Sequence, residues 1–170
     1  SSVGFHEVLA RPVDSLDVLF LSYNRWEFTE TTLRFLYENT DWSLVRRFVV
    51  YDDGSEVETQ MKLQKLLVEA PVEAYIHTTH HRSPVGVMRD YLEHEPAEVF
   101  AKVDNDVCMP PGWLEHLLSA WTPGVDLLGV ELGQPHGLDS VSDEPVQVVP
   151  CSHIGGIGLM RTAAFERSPK

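Results

Sequence analysis

Hydrophobic positions along the chain form short apolar runs that alternate with segments of helical periodicity. The runs are rich in strand-forming residues and most end abruptly in polar residues. Strands are predicted within residues 17–22, 46–55, 72–77, 98–106 and 125–132, and a strand, glycine turn and strand within 146–161. Helices are predicted within residues 27–40, 56–70, 84–94 and 110–121. Residues 133–147 are polar and rich in Gly, Pro, Asp and Ser, which is typical of an exposed loop.

This alternation predicts an α/β fold. Each crossover between consecutive strands is long enough to contain a helix, which favours a mainly parallel central sheet flanked by helices on both faces. The 170 residues predict a single domain spanning 1–170, with a core large enough to fold without disulfides.

The net charge of the chain limits the classes of binding partner that are expected. Thirteen Lys and Arg against 26 Asp and Glu give a formal net charge of −13, which repels nucleic-acid phosphates, so a nucleic-acid partner is not expected. The densest positive stretch, residues 77–89, contains Arg82 and Arg89, enough for one small anion and too little for a polynucleotide. An acidic chain that handles a phosphorylated ligand would need a metal ion.

Hydropathy and cysteine content predict the cellular compartment in which the protein is located. No apolar run approaches the length of a membrane span, and the N-terminal residues do not resemble a secretory signal. The two cysteines, Cys108 and Cys151, are too few for a disulfide framework. We therefore expect a soluble, cytoplasmic protein.

Polar side chains gather where predicted strands end. They are Asn24 and Arg25 after the first strand, Asp52 and Asp53 after the second, His77 and the histidines beyond it after the third, and Asp104 and Asp106 after the fourth. In an open parallel sheet these ends share one edge, which is where such folds bind ligands. The sequence thus predicts one site at this edge.

Asp104 and Asp106 are candidate metal ligands. In an extended segment residues two apart point to the same side, so both carboxylates could face one ion while Asn105 points away. The hard cations Mg²⁺ and Mn²⁺ suit carboxylates combined with substrate phosphates and water. The alternative is that the tripeptide is only a turn and helix cap, the usual meaning of an isolated D-x-D sequence. The strand context favours the metal site.

Four further residues each have two interpretations. Asp52 and Asp53 could form a simple turn, or one could cap the next helix while Asp53 accepts hydrogen bonds from a nucleobase or ribose. Arg89 could pair with a diphosphate or be an ordinary surface residue. His153 could be a further metal ligand, although a histidine beside a strand is more often structural.

Five motifs in order resemble the family 2 glycosyltransferases. They are DVLFLSYNR, FVVYDDGS, PVGVMRDYL, FAKVDNDVCMPPGWLEHLL and GGIGLMRTAAF, and the resemblance spans residues 17–167. The family has the GT-A fold and binds a nucleotide-activated sugar. The resemblance therefore implies a metal-dependent, inverting transfer of a sugar from a UDP-, GDP- or dTDP-sugar donor to a hydroxyl acceptor, with Mn²⁺ or Mg²⁺ as cofactor.

The resemblance also implies roles for individual residues. Ser22, Tyr23, Asn24 and Arg25 would line the nucleoside, Asp53 would contact the base, and Arg89 would lie near the diphosphate. Asp104, Asn105 and Asp106 would contact the donor, with Asp104 and Asp106 holding the cation and, by a looser match, His153 as third ligand. Gly155, Gly156 and Gly158 would form a close-approach turn beside the transferred sugar.

The catalytic base is not identified. Inverting members use a carboxylate from an acidic pair that follows the region matching LMRTAAF, and this sequence ends at Lys170. Glu166 reads as a surface helix residue, and nothing in the spacing favours Asp139, Asp143 or Glu144. The chain could lack the C-terminal acceptor-side segment, or a partner chain could complete that side. A catalytically incomplete nucleotide-sugar binding module is the alternative function.

Overall fold

The computed structural model describes residues 15–129 and 155–166. Within them, five α-helices and six β-strands alternate along the chain. The strands are β1 (Leu16–Ser22), β2 (Val45–Asp52), β3 (Ala74–Thr78), β4 (Val99–Asp104), β5 (Leu127–Gly129) and β6 (Ile157–Arg161). The helices are α1 (Trp26–Asn39), α2 (Val57–Val68), α3 (Pro84–Leu92), α4 (Trp113–Ala120) and α5 (Thr162–Glu166), with a 3₁₀ turn at Trp42–Leu44.

The strands form one mixed sheet in the order β3-β2-β1-β4-β6-β5. β1 to β4 are mutually parallel, whereas β6 runs antiparallel to both β4 and β5. The chain builds outward from β1 through β2 to β3 and then returns to the other side of β1 with β4. The predicted α/β fold with a mainly parallel sheet is confirmed, and the point where the strand order reverses lies between β1 and β4.

Helices cover both faces because successive strand residues point to opposite sides. In β1, Val18 and Phe20 belong to a core shared with α1, α2 and α4. Leu19 and Leu21 belong to a second, smaller core that includes Tyr91 of α3. None of the described helices is long and apolar enough to cross a membrane.

Asp17, at the start of β1, is fully buried and organises the sheet edge opposite the strand ends that carry the predicted site. Its carboxylate accepts hydrogen bonds from Arg46 Nε at 3.0 Å and Nη2 at 2.9 Å, from Arg47 Nη2 at 3.2 Å and from the Tyr91 hydroxyl at 2.7 Å. Burial alone would raise the pKa of Asp17, but these donors and the arginine charges hold the pKa below its usual 3.8. The ionised carboxylate is therefore part of the folded structure.

Acid should destabilise the fold through Asp17. A group whose pKa is lowered in the folded state contributes stability that is complete above its unfolded pKa and is lost as the pH falls through the folded pKa. For Asp17 the loss begins near 3.8 and continues below it. We expect the thermal midpoint to fall between about pH 5 and pH 2 more steeply in the parent chain than in Asp17→Asn. Identical slopes in calorimetric scans of the two proteins would contradict this.

Candidate functional site

A cavity of 310 Å³ opens where β1, β2 and β4 end. Its described lining residues come from these strand ends, from the turn after β4 and from the start of α3. They are Leu21, Ser22, Tyr23, Tyr51, Asp53, Arg82, Ser83, Pro84, Val87, Asp104, Asn105 and Asp106. The cavity lies at the reversal of strand order, where open α/β sheets bind ligands.

A larger depression of 440 Å³ lies between α2 and β3. Its described lining is mostly aliphatic, and Glu73 is its single charged residue. The smaller cavity combines three carboxylates with one guanidinium, so the polar chemistry identifies it as the candidate site.

The segment Asp104 to Asp106 is only partly as predicted. β4 ends at Asp104, and the next two residues form a turn, so the extended alternation expected for this tripeptide is wrong. The turn is not a helix cap either, because α4 begins at Trp113 with Gly112 at its N-cap. All three side chains nevertheless line the cavity. The amide of Asn105 fixes the turn by donating to Thr29 Oγ1 at 3.0 Å.

Each of the two aspartates has an internal cation. Lys102 Nζ lies 2.9 Å from Asp104 Oδ1, and Arg25 Nη1 lies 3.1 Å from Asp106 Oδ2. Burial raises the pKa of Asp104, Lys102 opposes this, and the charge of Asp106 raises the pKa further. A cation near both carboxylates would therefore relieve both the burial cost and the mutual repulsion.

These two carboxylates fit a divalent cation that completes its coordination elsewhere. Mg²⁺ and similar hard ions use one or two carboxylates together with substrate phosphates and several waters. The described part of the chain contains no group of three or more His, Cys, Asp and Glu side chains that could hold a metal. Predicted ligand His153 lies outside the described residues. The donor set matches an ion shared with a phosphorylated ligand better than a closed structural site.

The loop after β1 is held in an unusual backbone conformation. Asn24 and Arg25 both have left-handed φ angles, 46° and 52°. The Asn24 N–H donates to Ser55 Oγ at 2.7 Å, and the Glu56 N–H donates to Asn24 Oδ1 at 2.8 Å. Left-handed non-glycine residues persist only where surrounding contacts enforce them, so these hydrogen bonds hold the loop in this conformation next to the cavity.

Ser22 and Tyr23 of this loop line the cavity. The Ser22 side chain is only 2% exposed, and its hydroxyl has no hydrogen-bond partner among the described residues. An unsatisfied buried hydroxyl is costly, and beside a cavity a ligand atom would satisfy it. Asn24 and Arg25 are not among the described residues that line the cavity. Arg25 is linked to the cavity by its ion pair with Asp106.

Asp52, the last residue of β2, and Asp53, which follows it, have different hydrogen-bond partners. Asp52 accepts hydrogen bonds from the backbone N–H and the hydroxyl of Ser55, which closes the turn before α2. Asp53 lines the cavity and also accepts from Thr79 Oγ1 at 2.9 Å, His81 N–H at 2.7 Å and Ser83 N–H at 3.0 Å. Its role in holding residues 79–83 was not foreseen from the sequence, because those partners are 26 to 30 residues away.

The structure adds Lys102 to the cations near the site, and of the two arginines in the positive stretch 77–89 it places Arg82 in the lining. Lys102 is 10% exposed and lies on the same face of β4 as Asp104, which strand periodicity could have indicated. Arg82 lines the cavity, whereas Arg89 is exposed in the last turn of α3 and is not among the described lining residues. A role for Arg89 beside a diphosphate stays a prediction.

Gly156 is held directly against Asp104. The Gly156 carbonyl accepts the Asp104 N–H at 2.8 Å, and a Cβ at Gly156 would lie 2.5 Å from Val107 Cγ1 and 3.5 Å from Asp104 Oδ2. Close packing of β6 against the end of β4 therefore requires glycine here. Of the other two glycines predicted for the site, Gly155 is exposed at the start of the same segment and Gly158 is buried within β6.

Alanine at Gly156 should destabilise the chain by about 1–3 kcal/mol, because the added methyl group must displace buried Val107. Denaturant unfolding would measure the loss. Gly124→Ala is the matched control, since a Cβ at Gly124 meets no atom within 4 Å. Equal stability of the two variants would show that Val107 moves at no cost.

Comparisons with known proteins agree with this geometry. The sequence model of glycosyl transferase family 2 matches residues 17–133. A comparison with curated protein sequences found no match.

Solved glycosyltransferase structures share the fold. A mannosyltransferase from Pyrobaculum calidifontis, in complex with GDP-Man and Mn²⁺, superposes with a TM-score of 0.64 at 17% identity, over 93% of this chain and 50% of that one. S. aureus TarS gives 0.61 at 17% identity, over 89% and 48%. Glucosyl-3-phosphoglycerate synthase from Mycobacterium tuberculosis, in complex with UDP, gives 0.53 at 15% identity, over 68% and 43%.

The chain thus spans about half the length of the solved proteins that it resembles. The family match covers most of the sequence, including nearly all of β1 to β4 and the segment Asp104–Asp106. The chain belongs to glycosyl transferase family 2.

Proposed function

We propose that the chain forms the donor-binding part of a metal-dependent, inverting glycosyltransferase, which transfers a sugar from a nucleoside diphosphate donor to a hydroxyl acceptor. The observation that carries this proposal is the cavity itself. It lies at the reversal of strand order and brings Asp104, Asp106 and the unsatisfied Ser22 hydroxyl together. Its 310 Å³ is within the range of small-molecule sites.

Asp104 and Asp106 are the residues that would hold Mn²⁺ or Mg²⁺. When bound, such a cation supplies Lewis-acid stabilisation of the negative charge that develops on the departing diphosphate. The neighbouring structures solved with GDP-Man and Mn²⁺, and with UDP, support this assignment.

The rest of the cavity suits a nucleoside. Ser22 offers a hydroxyl that no described residue hydrogen-bonds, and Tyr23 presents an exposed ring beside it. Asp53 Oδ2 accepts one internal hydrogen bond, from the Ser83 N–H, which leaves acceptor capacity for a base or ribose donor. Asn105, fixed by Thr29, and Gly156, close to Asp104, would border the sugar side of the donor.

A catalytically incomplete binding module is the second candidate function. Inversion needs a carboxylate that deprotonates the acceptor hydroxyl. The carboxylates in the described lining are Asp53, Asp104 and Asp106, and each already has an internal partner. Glu166 is exposed at the end of α5, while Asp139, Asp143 and Glu144 lie outside the described residues. A further segment or a partner chain would supply the acceptor side.

Binding and turnover separate the two functions. UDP-, GDP- and dTDP-sugars would be titrated calorimetrically with and without Mn²⁺, and release of nucleoside diphosphate would be followed with the donor that binds. Metal-dependent binding together with release supports the transferase. Binding without release supports the module, and failure of all three donors to bind would refute both.

A further inference from the structure

The candidate site contains one positive charge that has no partner among the described residues. Of the twelve described residues that line the cavity, Arg82 alone is cationic, while Asp53, Asp104 and Asp106 are anionic. Lys102 and Arg25 pair with Asp104 and Asp106, whereas Arg82 forms no hydrogen bond or ion pair with any described residue. Its guanidinium is exposed and available to a ligand.

The backbone around Arg82 is held in a specific, unfavourable conformation. Its φ angle is 53°, in the left-handed region that a residue with a side chain rarely adopts. The N–H groups of both its neighbours donate to one carboxylate, that of Asp53, with His81 at 2.7 Å and Ser83 at 3.0 Å. Asp53 therefore fixes the peptide on either side of Arg82 and sets the direction in which its side chain leaves the backbone.

The loop packs closely against two glycines. A Cβ at Gly86 would lie 2.7 Å from His81 Cβ, and a Cβ at Gly54 would lie 2.6 Å from His80 Nδ1. His81 Nε2 also lies 3.3 Å from Asp90 Oδ2 of α3. Backbone strain that the surroundings enforce at a ligand cavity is characteristic of functional positions.

We propose that Arg82 binds the diphosphate of the nucleotide, with Asp53 as its positioning residue. The inference rests on the proposed function and names the residue that contacts the donor's phosphates. A guanidinium presents a planar set of donors that matches phosphate oxygens, and it stays charged at any physiological pH. Arg82 lines the same cavity as Asp104 and Asp106, so a diphosphate bound to a cation at these carboxylates would lie in the cavity that Arg82 lines.

Nucleotide binding tests this assignment without depending on turnover. The dissociation constants of UDP, GDP and dTDP and of the matching monophosphates UMP, GMP and dTMP would be measured calorimetrically in buffer containing MnCl₂. Arg82→Gln should weaken binding of the diphosphate that the parent chain binds by about 10- to 100-fold, the usual effect of removing a charge-assisted hydrogen bond. The loss should be smaller for the monophosphates, and Arg82→Lys should restore part of it.

Two further variants sharpen the experiment. Arg34→Gln is the matched control, because Arg34 is an exposed arginine on α1 that pairs with Glu30 and Glu69 away from the cavity. Asp53→Asn keeps the shape of the side chain but weakens its hold on the N–H groups of His81 and Ser83. It should reduce diphosphate affinity although Arg82 is present. Loss of a base or ribose contact would weaken monophosphates equally, so the part of the loss that is specific to diphosphates should be small when Asp53→Asn is added to Arg82→Gln.

Each outcome bears on the proposal. Unchanged diphosphate affinity in Arg82→Gln, or an equal loss for monophosphates and diphosphates, would overturn it. A larger loss of diphosphate affinity in Arg89→Gln than in Arg82→Gln would show that Arg89 on α3, and not Arg82, contacts the phosphates. If the parent chain binds none of UDP, GDP and dTDP, the proposed function is refuted, and the role of Arg82 with it.

Discussion

Replacing Asp106 by asparagine is expected to lower nucleoside diphosphate release about 1,000-fold while leaving the fold intact. A cation held by two carboxylates stabilises the departing diphosphate by several kcal/mol, and the amide is a much weaker ligand. Asp106 is 30% exposed and its ion-pair partner Arg25 is 52% exposed, so losing that pair costs little stability. The measurement is release at saturating donor, with the thermal midpoint recorded in parallel.

Asp106 is a better test of the cation than Asp104. Asparagine at Asp104 would leave Lys102, which is 10% exposed, without its counter-charge, so lost activity and lost stability would be confounded. Asp41→Asn is a suitable control, because Asp41 is an exposed aspartate that caps the Trp42–Leu44 turn. Full release by Asp106→Asn, or undiminished release by the parent chain in excess chelator, would exclude a cation at this turn. Arg25 and Lys102 would then remain as the charges closest to the acidic pair.

Replacing Asp17 by alanine is expected to destabilise the chain by about 3–5 kcal/mol, which corresponds to a fall of roughly 10 °C in the thermal midpoint. The carboxylate is fully buried and accepts hydrogen bonds from Arg46, Arg47 and the Tyr91 hydroxyl. Its removal leaves the buried part of this donor cluster unpaired, which costs more than the gain from burying a methyl group. Calorimetry at pH 7 measures the effect.

The position of Asp17 makes this variant a control on mechanism as well. It is the second residue of β1, at the end opposite Ser22 and the cavity, so Asp17→Ala should bind nucleotides normally at temperatures where it remains folded. Asp41→Ala, an exposed acidic residue, should shift the midpoint far less. A midpoint for Asp17→Ala close to that of the parent would mean that the arginines find other partners or water.

The sequence predicted the sheet and its polar edge well because both follow from local patterns. Apolar runs of strand length and helical periodicity are encoded within windows of ten to fifteen residues, and β1 to β4 lie where these patterns placed them. A parallel sheet brings the ends of its strands to one edge whatever the loops do. Ser22, Asp53 and Asp104 therefore meet at one cavity, as expected.

Loop geometry was harder to predict. Residues 104–106 were expected to be extended, but the strand ends at Asp104 and the next two residues form a turn, which the Asn105 amide stabilises through Thr29, 76 residues earlier in the chain. α4 begins at Trp113 and not within the preceding prolines, since Gly112 at its N-cap has a left-handed φ of 78°. Such contacts depend on which segments pack together, and that information is absent from any short window of sequence.

The sequence by itself determined the order of strands and helices, the edge at which the site forms and the acidic character of that site, because hydrophobic periodicity and strand-end chemistry are local properties. Only the tertiary structure determined which charged side chains form ion pairs with each other. It paired Arg25 with Asp106 and Lys102 with Asp104, and it left Arg82 free of internal partners among the described residues. The physical reason is that Coulombic and hydrogen-bond energies depend on distances of a few ångströms between residues far apart in the chain, and these distances exist only once the sheet and its loops have packed.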